Sequence, residues 1–272
     1  MADQSDVAEL VFSMPPLFLY GTVSGFVGVF VVFHLVRDVM IPKLAPASFQ
    51  EKLASLPTRK DKVFFYSTFT SMVHALVQSA FDPMYVSLGY SQEHNENRVT
   101  YFDVGGPAFF SGIFNGYLMA DFIICGPKDL GPAYCLHHLS AIVVWTGTAL
   151  VGSMQWYACM LQFCEFSTIF MNLRQWVLTA GYSSSSPIGI AVTLSFFLSF
   201  FAVRVVPLPT MVYQWPTTDF PRLAAEKGMG VALFSSTALV IHVSLQSFWF
   251  LLMVQKIVKI VLGGGKKKKK EE

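Results

Sequence analysis

The chain has 272 residues, of which 53% are hydrophobic and only 13% are charged, and its mean hydropathy is +0.51. These values are far too apolar for a soluble domain of this size and predict an all-α protein that crosses a membrane several times. The formal net charge of +2 is uninformative, because five of the 19 basic residues lie in one lysine run at 266–270 and most of the others in loops. No part of the chain resembles a nucleic-acid-binding face.

Seven apolar runs are long enough to cross a bilayer, which takes about 20 residues. The segment before the first run contains acidic side chains and no Lys or Arg, unlike a signal peptide, so the first run is expected to be its own insertion signal. Gly-x-x-x-Gly spacings in the first and third runs predict close helix packing. The predicted spans are 17–36, 63–81, 107–125, 133–151, 155–173, 187–206 and 229–254.

The chain is expected to divide into four parts that follow these spans. They are a tail at 1–16, the first span with a basic loop at 17–61, a block of six spans at 62–254, and a lysine-rich tail at 255–272. Basic residues concentrate in the first loop, whereas the second loop is mainly acidic. Because cytosolic loops carry the excess of Lys and Arg, the N-terminus is predicted in the lumen and the C-terminus in the cytosol.

The last four residues, Lys269-Lys270-Glu271-Glu272, form a Lys-Lys-x-x terminus. Coat proteins read such a signal and return cargo to the endoplasmic reticulum, which predicts residence in that membrane. The alternative is a polybasic tail attracted to anionic lipid, worth about 1 kcal/mol per lysine near the surface.

A histidine pair, His137 and His138, lies about one turn inside the fourth predicted span. An ionisable side chain there costs roughly 3 kcal/mol and marks a candidate functional site. Neighbouring residues on a helix point about 100° apart, so both rings face protein only if helices enclose them on more than one side. The pair therefore suggests a ring of helices. The alternative is that both imidazoles only bond neighbouring helices.

Two carboxylates, Asp121 and Glu165, are expected in the same half of the bundle. A carboxylate that fixes the tautomer of an imidazole makes it a general base or a nucleophile. We therefore predict His137 or His138 as the catalytic group, with Asp121 or Glu165 as its partner. For each carboxylate the alternative is a structural hydrogen bond to a Tyr, Ser or Thr.

Other intramembrane polar groups receive more modest assignments. His34 and Asn172 are expected near the same cytosolic level, within reach of a substrate with a charged head. Arg204 is expected to snorkel or to pair with Asp82 in a structural role. The remaining histidines and cysteines are expected to be packing residues: His74, His242, Cys125, Cys135, Cys159 and Cys164. No metal is predicted, because one histidine pair falls short of the repeated boxes of membrane di-iron oxidases.

The sequence resembles the TLC domain in the order of four short motifs. They are Gly116-Tyr117-x-x-x-Asp121, His137-His138, Glu165-x-Ser167-Thr168 and Asn172-x-Arg174. Ceramide synthases, translocation-associated membrane proteins and less characterised TLC-domain proteins share it. In ceramide synthases the histidine pair is followed by an Asp-x-x-Asp pattern, at which Glu165 and Thr168 stand here. The chain therefore looks closest to the less characterised group. The resemblance implies helices enclosing a lipid-accessible cavity in the endoplasmic reticulum.

Two hypotheses follow from the residues and the resemblance together. The first is an acyltransferase that moves an acyl chain from acyl-CoA, as co-substrate and with no bound cofactor, to a long-chain amine or another lipid of sphingolipid type. Its predicted substrate-binding residues are Asn172, Arg174, His34 and Thr168.

The second hypothesis is a non-catalytic protein that binds lipid, regulates membrane composition or adapts cargo. The expected partners are membrane lipids, acyl-CoA and coat proteins, with a homodimer left open. A proton-coupled transporter is a weaker third hypothesis, since the repeated halves typical of that class are not found.

Overall fold

The structure is a computed structural model that describes residues 14–88, 98–100, 102, 105–126 and 131–263, without the side chains of 82–88 and 259–263. All regular structure in these residues is helical, as predicted, and the described part contains no β-strand.

Eleven α-helices follow one another along the described chain, several of them joined without a break. They are α1 (Pro16–His34), α2 (Ala47–Ala54), α3 (Arg59–Leu88), α4 (Gly106–Cys125), α5 (Pro132–Val151), α6 (Gln155–Gln162), α7 (Phe166–Thr179), α8 (Pro187–Phe200), α9 (Leu208–Gln214), α10 (Phe220–Lys227) and α11 (Met229–Gly263). A π-helical turn, Leu35–Met40, and a last α-turn, Ile41–Leu44, extend α1. A 3₁₀ turn, Phe163–Glu165, joins α6 to α7, and two π-helical turns, Phe201–Val205 and Trp215–Asp219, interrupt the helical path from α8 to α10.

Five helical segments within the described residues are long and apolar enough to cross a membrane. They are Pro16–Leu44, Gly106–Cys125, Pro132–Val151, Pro187–Lys227 and Met229–Val258. The helical path of the sixth predicted span does not end at residue 206 but continues to Lys227. The other two predicted spans are also helical and coincide with α3 and with α6 and α7, but they are more polar.

The pairing of α1 with α4 depends on four glycines. Gly21 and Gly25 of α1 lie against Gly112 and Gly116 of α4. A Cβ atom added at Gly21 would meet the carbonyl oxygen of Phe109, and each of the other three would likewise meet backbone of the opposite helix. The close approach predicted from the Gly-x-x-x-Gly spacings is therefore confirmed, and it seats the helix that carries Asp121.

Helix α3 lies inside the bundle and is buried through polar side chains. It packs against α1, α4, α6 and α7. The side chains it buries include several hydroxyls, an imidazole and an amide: Ser67, Thr68, Thr70, Ser71, His74 and Gln78. Thr68 accepts a hydrogen bond from the indole nitrogen of Trp176 at 2.6 Å, and Phe69 stacks on the same indole at 4.4 Å. Helices α3 and α7 are thus joined by a hydrogen bond and by aromatic stacking.

Candidate functional site

His138 and Asp121 form a buried pair where α4 ends and α5 begins. Nε2 of His138 lies 3.1 Å from Oδ2 of Asp121, and the two side chains are 3% and 1% exposed. Nδ1 of His138 lies 3.2 Å from the backbone carbonyl oxygen of Tyr134, one turn earlier on α5. The Tyr134 hydroxyl donates to Oδ2 of Asp121 at 3.3 Å, and the Cys125 thiol donates to Oδ1 at 3.7 Å.

The partners of His138 leave it no nitrogen for a substrate. A carbonyl oxygen only accepts, so Nδ1 of His138 carries a proton and donates a hydrogen bond to the carbonyl oxygen of Tyr134. Nε2 then either donates to the Asp121 carboxylate, as part of an imidazolium, or accepts from a protonated Asp121. Both ring nitrogens are engaged in either state. Of the two expected carboxylate partners, Asp121 is the one that contacts an imidazole.

His137 points in a different direction from its neighbour and is half-buried. Its ring packs edge-on against the Trp249 indole of α11, with centroids 5.3 Å apart, and lies 5.5 Å from the His138 ring. Within the described residues its ring nitrogens make no hydrogen bond. His137 is therefore the imidazole of the pair that a ligand can reach.

Two cavities meet at His137, and we name them chamber A and chamber B. The cavity volume is about 70 Å³ for chamber A and about 310 Å³ for chamber B, so chamber B alone reaches the range of ~300–1,000 Å³ of small-molecule sites. Chamber A is mostly apolar and is lined by residues that include Phe114, Val144, Trp145, Leu161, Phe234 and Leu239. Chamber B is lined by residues that include Tyr117, Tyr134, His138, Thr168, Phe196 and Trp249. His137, Glu165 and Arg204 line both chambers.

Arg204 lies buried at the junction of the two chambers. Its side chain is 9% exposed, so the expectation that it snorkels is wrong, and the side chain of Asp82 lies outside the described residues. Nε donates to the Ser167 hydroxyl at 2.7 Å, Nη2 to Thr168 Oγ1 at 3.2 Å, and Nη1 to Gln246 Oε1 at 3.3 Å. The π-helical turn Phe201–Val205 contains this arginine, and such turns are frequent at functional sites.

Glu165 lies opposite Arg204, in the 3₁₀ turn between α6 and α7. Its Oε1 is 3.8 Å from Nη2 of Arg204, and both side chains are buried. The structure therefore places this carboxylate beside a guanidinium and not in hydrogen-bond contact with either histidine of the pair. Glu165, Arg204 and Thr168 form one buried polar cluster in the shared wall.

The four predicted substrate-binding residues are spread over the molecule. Thr168 lines chamber B. Asn172 is buried one step behind that wall and donates to the Ser71 hydroxyl at 3.1 Å. Arg174 donates to Thr193 at 3.1 Å, and the exposed ring of His34 contacts Asp38 at 3.1 Å; neither residue lines a chamber.

Other predicted positions have simple outcomes. Lys269 and Lys270 lie outside the described residues. Each of the four cysteines is described, and none forms a disulfide. In the part of the chain that the structure covers, no three His, Cys, Asp or Glu side chains converge as a metal site would require.

Comparison with known proteins decides the family. The model of the TLC domain matches residues 62–255, which is most of the chain. The chain belongs to the TLC-domain family. The resemblance drawn from the histidine pair and the flanking motifs is therefore confirmed.

Two relatives place the chain among the less characterised TLC-domain proteins. It is 28% identical over 188 residues to TLC domain-containing protein 4-B of Danio rerio, covering 67% of this chain and 68% of the relative. It is 30% identical over 156 residues to TLC domain-containing protein 4-B of Xenopus laevis, covering 55% and 57%. No solved structure matches the chain.

Proposed function

We propose that this TLC-domain protein is an acyltransferase of the endoplasmic reticulum that moves an acyl chain from acyl-CoA to a long-chain amine or a related lipid. The observation that carries the proposal is His137, an imidazole without a hydrogen bond to any described residue, at the junction of a mostly apolar chamber and a roomier one. One chamber is expected to receive the acyl chain and the other the apolar part of the acceptor. Their polar ends would then meet at His137.

The proposed reaction needs one base, which later acts as an acid. A nitrogen of His137 takes a proton from the neutral amine as the amine nitrogen bonds to the thioester carbonyl carbon. The tetrahedral oxyanion then collapses, the carbon–sulfur bond breaks, and the CoA sulfur leaves with the proton from the imidazolium. His138 and Asp121 position the start of α5 and thereby His137.

The test is microsomal transfer of a labelled acyl chain from acyl-CoA to a long-chain amine. His137→Gln should lower the rate by about 10²–10⁴, the usual contribution of a general base. His34→Gln is the matched control, because that imidazole is exposed and lies outside both chambers, and it should keep the wild-type rate. Equal transfer by the wild type, His137→Gln and membranes without the protein would refute the acyltransferase proposal.

A non-catalytic lipid-binding protein is the second candidate, favoured by the way polar groups of the shared wall satisfy one another. Thr168, at the place of the second Asp of the synthase pattern, accepts from Arg204, and Glu165 pairs with the same guanidinium. A lipid that co-purifies equally with the wild type and His137→Gln, without transfer activity, would support this candidate.

We further propose that the chain crosses the membrane seven times, with its helices in a ring around the chambers. The two additional crossings would be α3 and the path through α6 and α7. The polar side chains that α3 buries face protein, and a helix enclosed by other helices need not be as apolar as one that faces lipid. An N-terminus in the lumen, a cytosolic C-terminus that coat proteins bind through Lys269 and Lys270, and a homodimer remain proposals from the sequence.

A further inference from the structure

Two polar side chains of α11 face the apolar chamber A without all the partners that buried groups normally have. His242 and Gln246 are four residues apart, so they lie on one face of the helix, and both line this chamber. Gln246 is fully buried, and its Oε1 accepts from Arg204 at 3.3 Å. Its Nε2 has no hydrogen-bond partner among the described residues, and neither has Nε2 of His242.

Buried polar groups without partners are uncommon, because burying them without a hydrogen bond costs free energy. The two atoms here are complementary in type. The Gln246 amide nitrogen donates only, whereas a neutral imidazole has one nitrogen that accepts and one that donates. A hydroxyl group accepts one hydrogen bond while it donates another, so it fits both residues at once.

The charges of the chamber wall point to a neutral ligand group. Glu165 and Arg204, the two charged side chains of that wall, lie 3.8 Å apart and offset one another. A carboxylate would lie near Glu165 and could not donate to His242, and an ammonium group could not accept from Gln246. A hydroxyl meets neither difficulty.

The position along α11 places this group away from the reacting end of a lipid. Trp249, which packs on His137, lies on the same side of α11, three residues after Gln246 and seven after His242. At 1.5 Å per residue the two polar side chains lie about 5–10 Å along the helix from the level of His137. A group held there belongs within a lipid chain and not at its head.

We propose that chamber A holds the middle part of an acyl chain, where a hydroxyl group on the chain donates to His242 and accepts from Gln246. The inference rests on the proposed function only in taking chamber A to hold a lipid chain. It adds a preference for hydroxylated over unsubstituted chains.

The test is competition for binding to the purified full-length chain in detergent. Tritiated stearate is displaced by unlabelled stearate or by its mid-chain hydroxylated analogue. The wild type should favour the hydroxylated chain about tenfold, as expected for one net buried hydrogen bond. His242→Phe should abolish this preference while keeping the affinity for stearate. It removes no internal hydrogen bond to a described residue, so the fold should tolerate it.

His74→Phe is the matched control, because His74 is also a buried histidine without a hydrogen bond to a described residue, but it lines neither chamber. It should keep the tenfold preference. Gln246→Met is a second variant, checked for folding by thermal melting, and it should weaken the preference. Equal displacement by the two probes in the wild type, or an unchanged preference in His242→Phe, would overturn the proposal. Binding needs no turnover, so a His137→Gln protein that keeps both its transfer rate and the preference contradicts the proposed function alone.

Discussion

His137 and His138 are neighbours in the sequence, but their side chains have different surroundings in the structure. Both ring nitrogens of the buried His138 make hydrogen bonds, one with Asp121 and the other with the backbone carbonyl of Tyr134. His137 lies about 100° around the helix axis from His138, and its side chain reaches the junction of the chambers. One residue of the pair thus holds the start of α5 in place, and the other is available for chemistry.

Asp121→Ala should destabilise the protein strongly. It would leave His138 and the Tyr134 hydroxyl without their buried partner, and breaking such a pair from one side costs about 3–5 kcal/mol. Thermal melting in detergent should show a clearly lower midpoint than for the wild type. His137→Ala should melt near the wild type, because that ring makes no hydrogen bond to a described residue. If Asp121→Ala melts at the same temperature as the wild type, the His138–Asp121 pair does not stabilise the fold.

The chemistry of the residues correctly predicted part of the site. The positions of Arg204 and His34 were predicted from depth in the membrane alone, and depth was misleading for both. That a carboxylate would contact an imidazole followed from residue types and from their order in the helices. Arg204 was expected near the surface because the sixth predicted span ended at residue 206, whereas the helical path continues to Lys227. Arg204 is a charged residue within an otherwise apolar run, and this signal could have assigned it to the site. His34 was matched in depth only, and depth does not fix the direction in which a helical side chain points.

At the scale of helices, small residues control how closely two elements approach. The two faces of α1 differ sharply in this respect. Gly25 lies against the backbone of Ile113 in α4, whereas Gly28 has open space where a side chain would begin. One glycine is required by packing and the other is not.

Gly25→Ala should therefore weaken the fold, and Gly28→Ala is its control on the same helix. A methyl group at Gly25 collides with backbone that cannot rotate away, and overpacking of this kind typically costs about 1–3 kcal/mol. At Gly28 the change should be neutral or stabilising by up to about 1 kcal/mol, because alanine is the better helix former. Thermal melting of both variants checks the difference, and equal midpoints would contradict the assigned contact.

At the scale of the whole molecule, hydropathy separates five apolar helical segments from two that are more polar. Five described segments are apolar enough to be recognised as spans, whereas α3 and the path through α6 and α7 carry buried polar side chains. The sequence predicted helices in these places because they still hold long, largely apolar runs. It did not predict which polar groups would meet, because that depends on how the helices pack.

The number of crossings can be measured with single cysteines in intact microsomes, after the native cysteines are replaced by alanine. Seven crossings put Gly131→Cys and Ser184→Cys on the same cytosolic side, where a membrane-impermeant maleimide labels both. Five crossings would keep Ser184→Cys cytosolic and move Gly131→Cys to the lumen. Both positions are exposed at turns between helices. Labelling of Ser184→Cys alone would contradict the seven-span proposal.

The glycine contact between α1 and α4 also bears on where the folding unit begins. Helix α1 precedes the segment that matches the TLC domain, at 62–255, yet it is the support against which α4 and its Asp121 are seated. A shortened protein that starts at the family boundary would expose the glycine face of α4 to lipid and lose that support. We therefore expect the smallest stable fragment to extend beyond the segment that matches the family, and expression work should keep the first helix.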